Sequence, residues 1–316
     1  MSLRIGVIGV GRIGEHHVRN YASMRQVELA GIFDKDNKRA RSLAKKYGTT
    51  AFGDYETLLE TCDAVSICVP TASHCDMFLQ AAARGVHAIV EKPITMSIDE
   101  ADRMIEAAHQ ADVTLMVGHV ERFNPVILTL RDILDVSRVI YLEAQRLGPY
   151  VNVDAQVGVV HDLMIHDIDV VYSLMGADVK QVRSHMINVF SETEDLAHAQ
   201  VVLENDVTAV FTSSRVANHR VRIMNITLKD SYVTADYQTQ EVFIRSGLLP
   251  EYVGGKNVSY KQIGTIEIPY VQRGEPLRLE LDHFVECLLT RKQPSITGEV
   301  GKRNLELALR ILKAGA

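Results

Sequence analysis

Over residues 1–118, short apolar, β-rich runs alternate with longer stretches in which apolar positions return every three or four residues. The runs Arg4–Ile8, Val27–Phe33, Ala64–Val69, His87–Val90 and Thr114–Val117 read as strands, with a further short strand near Thr50. Helical spacing falls between them: a helix through His16, Val18 and Tyr21, then Asn37–Tyr47, Tyr55–Leu59, Ser73–Arg84 and Ile98–Ala111. Strands alternating with helices in this way build a doubly wound parallel sheet, an α/β domain. Ser73-x-x-Asp76 and Ser97-x-x-Glu100 have the form of capping boxes and are expected to start two of the helices.

After Gly118 the pattern changes. A helix, Val126–Leu134, and a long strand, Arg138–Arg146, lead through a Gly-Pro-Tyr loop to Gly158–Asp169, which reads G-V-V-H-D-L-M-I-H-D-I-D. A helix is expected from about Val160 to Met175, and its apolar residues point in almost every direction, so it belongs in an interior. Asp162, His166 and Asp169 nevertheless share one face, at i, i+4 and i+7. Polar groups on a buried helix must be paired, or must line a cavity. Taken alone, the stripe is better explained by a capped core helix than by a site.

Alternating runs follow at Val179–Val189, Ala197–Leu203, Val207–Ser213, Val221–Leu228, Ser231–Ala235 and Glu241–Ile244. Turns such as Glu204-Asn205-Asp206 and Lys229-Asp230 make these mostly antiparallel hairpins and meanders. Residues 119–316 are therefore expected to form an α+β domain: a large, mostly antiparallel open sheet with helices on one face. The other face needs a cover, and a second subunit is the expected one, in a homodimer or homotetramer. Gly254-Gly255 marks a flexible loop near the outer strands, and helices follow at about Leu277–Leu289 and Gly301–Lys313. No internal repeat or low-complexity segment is present.

Composition narrows the function classes. An apolar content of 47% and a charged content of 23% over 316 residues describe a globular chain with core enough for two domains. A net charge of −6 gives no support to a nucleic-acid or polybasic membrane surface. The apolar start, Leu3 to Val10, is short and glycine-interrupted and is expected as a strand rather than a signal peptide. No apolar run approaches a membrane span. Cys62, Cys68, Cys75 and Cys287 lack metal or redox spacing and read as reduced thiols of a cytoplasmic protein.

The chemistry begins at Gly9-Val10-Gly11-Arg12-Ile13-Gly14, a G-x-G-x-x-G between a strand and a helix. Gly9 permits the tight turn, Gly11 lets the backbone approach a pyrophosphate, and Gly14 allows close helix–strand packing. The helix N-terminus then meets the phosphate charge. The domain is thus expected to be of the Rossmann type, with NAD as cofactor. Asp34 ends the second strand, twenty residues beyond Gly14, where an acid hydrogen-bonds both ribose hydroxyls and repels a 2′-phosphate. Ligands of such sheets lie beyond the carboxyl ends of the strands. Two strand ends therefore join the expected cofactor crevice: Val69-Pro70-Thr71 with His74, and Glu91-Lys92-Pro93. Arg122, in the turn after the last strand of the first domain, is a candidate clamp for an anionic substrate group.

The fingerprint, the E-K-P at the end of the fifth expected strand, and Asp162 with His166 about seventy residues later together resemble the glucose–fructose oxidoreductase, inositol dehydrogenase and MocA (Gfo/Idh/MocA) family. The resemblance spans essentially the whole chain. It implies that Lys92, Asp162 and His166 meet at the nicotinamide as the catalytic group, and that Asp169 contacts substrate. It also implies that the last helix packs back on the first domain. The stretches Gly118–Pro125 and Asp162–Asp169 look most like the branch that oxidises nucleotide-linked sugars. On that reading His166 is the general base, Lys92 donates to the oxygen as negative charge develops, and Asp162 helps to hold imidazole and sugar. Three other readings stay open: a free-sugar or cyclitol dehydrogenase, a non-catalytic NAD-binding regulator, and a metal enzyme using Asp162 and His166 as an i, i+4 ligand pair.

Overall fold

The computed structural model describes residues 2–150, 157–247 and 264–315. Gly254-Gly255 lies outside them. The chain divides into two compact units, residues 1–120 with 275–306, and residues 121–274 with 307–316.

The first unit alternates as its periodicity predicts: β1 (Leu3–Ile8), α1 (Arg12–Ala22), β2 (Val27–Phe33), α2 (Asn37–Tyr47), α3 (Tyr55–Glu60), β3 (Ala64–Ile67), α4 (His74–Ala82), β4 (His87–Glu91), α5 (Ile98–Ala111) and β5 (Leu115–Gly118). The strands form one parallel sheet in the order β2-β1-β3-β4-β5. All of β3 is buried, as a strand covered on both faces must be. Local signals set α2 sharply: Asp36 accepts two N–H groups at its start, and Gly48 takes the left-handed conformation at its end.

Two local expectations fail. The strand near Thr50 is only an isolated bridge between Ile32 and Ala51, so E-K-P ends the fourth strand, not the fifth. Ser73 caps nothing: a 3₁₀ turn over Thr71–Ser73 precedes α4 and already places Ser73 in a helical conformation. Ser97, in extended conformation, does accept Glu100 N–H at 3.2 Å and starts α5.

The second unit opens with α6 (Pro125–Ile133), whose first turn is capped by Asn124. β6 (Val139–Leu147) follows, then a π-turn at Val160–Met164 that passes into α7 (Ile165–Met175). The strands are β7 (Val179–Ile187), β8 (Leu196–Leu203), β9 (Thr208–Ser214), β10 (Val221–Leu228), β11 (Ser231–Asp236), β12 (Glu241–Ser246) and the short β13 (Thr265–Glu267). Their order in the sheet is β13-β12-β11-β10-β6-β9-β8-β7; β6 runs parallel to β9, and every other pair is antiparallel. Along β6, Leu142, Ala144 and Arg146 are buried, while Tyr141, Glu143 and Gln145 on the alternate face are half-exposed. The core gathers Val126, Ile127 and Leu130 of α6, Ile168 and Val171 of α7, and the inward residues of the sheet.

The last helices are α8 (Pro276–Thr290) and α9 (Gly298–Gly315). The boundary expected at 118/119 lies two residues from the observed one, but α8 belongs to the first unit rather than the second. Arg278 of α8 donates to Ser23 at 3.0 Å, and Asn20 of α1 donates to Glu275 at 3.3 Å. α9 begins in the first unit and contributes Leu307, Ala308 and Ile311 to the core of the second. Among the described residues, no helix is long and apolar enough to cross a membrane.

Candidate active site

The glycine turn after β1 is built for close approach. Gly9 has φ +82°, and a Cβ on Gly14 would lie 1.9 Å from the Gly9 carbonyl oxygen. A Cβ on Gly11 would meet nothing within 4 Å, so open space lies over the turn. Gly11 is the N-cap of α1 and offers no side-chain acceptor to the first-turn N–H groups, which leaves them to an incoming anion. Arg12 and Ile13 are exposed beside it. Asp34 accepts the Val10 N–H at 2.8 Å and the Asp36 N–H at 2.8 Å. An ionised carboxylate has about four acceptor positions, so capacity for ribose hydroxyls remains. Arg39 lies 3.8 Å from the same carboxylate. These residues fit a dinucleotide.

The two neighbouring strand ends are locked to each other through a histidine. His74 is buried; its Nδ1 lies 3.0 Å from Pro93 O and 3.2 Å from Ile94 O, and its Nε2 lies 2.9 Å from Val69 O. Expected among the cofactor contacts, His74 braces the turn after β3 against the turn after β4. Burial lowers its pKa, outweighing the carbonyl contacts that raise it. Val69, Pro70 and Thr71, which it positions, remain partly or fully exposed.

Glu91 is tied inward in a similar way. Its Oε1 lies 3.0 Å from His17 Nε2, and His17 Nδ1 lies 3.1 Å from Ser66 Oγ, which Tyr21 also contacts at 2.8 Å. Burial pushes the Glu91 carboxyl up, but the hydrogen bond and charge of His17, with Lys92 and His74, more than offset this and hold it low. Glu91 therefore anchors the strand end, and the half-buried Lys92 that follows, joined to Pro93 by a cis peptide, is presented from a fixed base. His17 was missed, although its place on the buried face of α1 with Val18 and Tyr21 was a signal. His17, Glu91 and Cys68 also form a group of metal-ligand types with donor atoms within 4.8 Å. The His17–Glu91 hydrogen bond and a Cys68 thiol pushed well up by burial make it a polar core instead. A cavity of about 610 Å³ in this unit opens at the amino ends of β4 and β5, beside His87 and Thr114, away from the glycine turn.

In the second unit, the central helix is buried from Val160 to Tyr172 except at Asp162, Leu163 and His166. Asp162 sits in the π-turn and His166 in the first turn of α7, so the change of pitch falls between them. π-turns of this kind are common at functional sites. The start of the helix is held from a distance: Glu194 accepts Val160 N–H on its carboxylate at 3.0 Å and Val159 N–H on its carbonyl at 3.0 Å. A Cβ on Gly158 would overlap that carboxylate at 2.0 Å, so a side chain there would displace the cap.

Asp169 departs from the expected stripe. It is fully buried and forms a two-point ion pair with Arg122, which is itself buried. The geometry therefore supports neither the phosphate clamp expected of Arg122 nor the substrate contact expected of Asp169; each is the other's partner. A second buried pair lies nearby. Arg146, inward on β6, donates to Asp167 at 3.0 and 2.7 Å and to Glu121 at 2.8 Å, with its guanidinium over the Tyr237 ring. The two pairs hold the inner side of α7, and Asp162 and His166 remain half-exposed.

A family model described as the oxidoreductase family with NAD-binding Rossmann fold matches residues 3–119, and one described as the GFO/IDH/MocA C-terminal domain matches residues 137–230. UDP-N-acetylglucosamine 3-dehydrogenase of Acidithiobacillus ferrooxidans is 33% identical over 314 residues, 98% of this chain and 96% of that protein. The chain belongs to the GFO/IDH/MocA oxidoreductase family. Another member, scyllo-inositol 2-dehydrogenase (NAD(+)) of Bacillus subtilis, is 29% identical over 327 residues, covering 98% of this chain and 92% of that one. The solved structure of the Acidithiobacillus enzyme matches with a TM-score of 0.90 at 32% identity, over 99% of this chain and 98% of that one. As a GFO/IDH/MocA oxidoreductase the chain uses a nicotinamide cofactor, and the glycine turn of its first unit is where the dinucleotide phosphates fit.

Proposed function

We propose that this chain oxidises a secondary hydroxyl of a nucleotide-linked sugar, the 3-hydroxyl of UDP-N-acetylglucosamine or a close analogue, with NAD. The observation that carries the chemistry is the stretch Val160–Tyr172, buried except at Asp162, Leu163 and His166, which leaves an acid and a base half-exposed four residues apart. The substrate class is supported by the 33% identity to UDP-N-acetylglucosamine 3-dehydrogenase over nearly the whole of both chains. A bound nicotinamide supplies the hydride acceptor. His166 removes the hydroxyl proton, Asp162 orients the imidazole, and Lys92 donates to the same oxygen as negative charge develops. Asp34, with two acceptor positions free for ribose hydroxyls, favours NAD over NADP. Homo-oligomerisation through the open sheet face and a cytoplasmic location complete the proposal.

The test is a panel of nucleotide sugars and free sugars with NAD, followed by absorbance of the reduced cofactor. UDP-N-acetylglucosamine should give the highest kcat/KM. Preference for inositols or free sugars would favour the second reading, a free-sugar or cyclitol dehydrogenase, which the 29% identity to scyllo-inositol 2-dehydrogenase supports.

A further inference from the structure

At one end of the second unit's sheet, three chain segments are tied together. Gly148 N–H donates to Ser214 O at 2.9 Å and Ala217 N–H to Gly148 O at 3.1 Å, joining the exit of β6 to the exit of β9. The turn between β7 and β8 is gathered around Asp195, which is fully buried and accepts the N–H groups of Val189, Phe190 and Ser191 at 2.7, 2.6 and 3.0 Å. Arg215, from the exit of β9, donates to the same carboxylate and to Val157 O at 2.8 Å. Glu194, one residue earlier, caps the helix that carries Asp162 and His166.

This framework holds large apolar side chains out in solvent. Phe190 is 61% exposed and Tyr150 is 38% exposed, with ring centroids 5.1 Å apart in an edge-to-face pair. Arg215 lies under Tyr150, its guanidinium 5.7 Å from the ring centroid. Arg220 is exposed on the third segment, with Cγ 3.9 Å from the Cβ position of Gly148. Among the described residues no acid pairs with it, and Arg222 next to it is bound to the carbonyls of Leu147 and Val221. Burial first, then Arg146, pushes Arg222 down to about 10, and Arg220 adds to the effect.

We propose that Tyr150, Phe190 and Arg220 form the subsite for the nucleoside diphosphate half of the substrate, the aromatic pair stacking on the base and Arg220 pairing with the diphosphate. The inference rests on the nucleotide-sugar reading and deepens it. Aromatic faces accept any base, and an exposed guanidinium suits a phosphate oxygen pair. The subsite also supplies the phosphate contact that Arg122, buried against Asp169, does not.

The experiment is calorimetric titration of UDP and of uridine into wild type, Phe190→Ala, Phe190→Tyr, Tyr150→Ala and Arg220→Gln, with thermal midpoints and light scattering for each. Phe190→Ala and Tyr150→Ala should weaken both ligands by roughly 5- to 100-fold, and Phe190→Tyr should restore binding. Arg220→Gln should weaken UDP about tenfold and uridine far less. Wild-type affinity for UDP in folded variants overturns the subsite while leaving the nucleotide-sugar reading intact. A wild type that binds no UDP and turns over free sugars overturns both. Loss of oligomer mass in Phe190→Ala with UDP affinity unchanged assigns the aromatics to a subunit contact and overturns the subsite.

Discussion

Arg122 and Asp169 close a buried two-point ion pair, Nε to Oδ2 at 2.9 Å, from the turn before α6 to the inner side of α7. Asp169 lies three residues beyond His166, so the pair fixes the rotation of the helix that presents the imidazole. Arg122→Ala leaves a carboxylate buried without its guanidinium and should cost about 3–5 kcal/mol of stability. Arg122→Met with Asp169→Leu should recover much of that loss, because an apolar pair avoids the desolvation of two charges. Urea denaturation of the two variants checks this. An Arg122→Ala protein with a wild-type midpoint, and a KM raised for nucleotide sugars alone, would restore the phosphate clamp.

Asp34 has a double role that separates in kinetics. Its carboxylate holds the Val10 N–H inside the glycine turn and offers its remaining acceptor positions to a ribose. Asp34→Ala should therefore raise KM for both cofactors while shifting the NADP-to-NAD ratio of kcat/KM upward, by tenfold or so for the loss of one charge-assisted contact. Arg39→Ala should move the ratio the other way, since Arg39 stands 3.8 Å from the carboxylate, where a 2′-phosphate would meet it. Parallel use of both cofactors by wild type and Asp34→Ala alike would remove the discriminating role.

His74 links stability to pH. Its pKa is lowered by burial, so the folded protein resists a proton that the unfolded chain takes up near ~6.5. The unfolded state then binds more protons, and stability falls as pH drops below that value until the folded-state pKa is passed. His87, also lowered by burial, acts in the same direction. The fall in melting temperature between pH 7 and pH 5.5 should be shallower in His74→Gln than in wild type. Equal slopes would place the linkage elsewhere.

The legible parts of the chain were those with local causes. Both ends of α5 could be read because Ser97 caps its start and its last apolar turn stops before Asp112, which adopts a left-handed conformation. The G-x-G-x-x-G and the paired Asp162 and His166 stood out because their spacing is their chemistry. What was hidden depends on residues far apart in sequence. Arg146 looks wrong on the inward face of β6 until Asp167 and Glu121 surround it. Gly158 looks like a loop residue until Glu194, thirty-six positions later, fills the space a side chain would need. The π-turn at Val160–Met164 leaves the apolar pattern unchanged, so periodicity reads straight through it. Glu91 and His74, at strand ends, read as cofactor contacts in the sequence, because their direction is decided by partners such as His17 and Val69.

Lys92 and His166 carry the enzyme proposal, and mutants of the two test it directly. Lys92 follows a strand end anchored by the Glu91–His17 pair, so removal of its side chain leaves that anchor in place. His166 is half-exposed on a helix held by Arg122–Asp169 and by Glu194, so removal of the imidazole leaves the helix tied at both points. Neither change should alter dinucleotide binding, which belongs to the glycine turn and Asp34. His166→Ala should lower kcat by ~10²–10⁴-fold, the range of a general base. Lys92→Ala should lower it by ~10²–10³-fold, the range of a donor to developing charge. If both serve one oxygen, the double variant should lose less than the product of the two, since groups acting as a unit are not additive. Stopped-flow turnover with NAD affinity measured by fluorescence gives all three quantities. Normal kcat in His166→Ala would move the base to Asp162 or to water, while strict additivity in the double variant would mean that the two side chains act on separate steps.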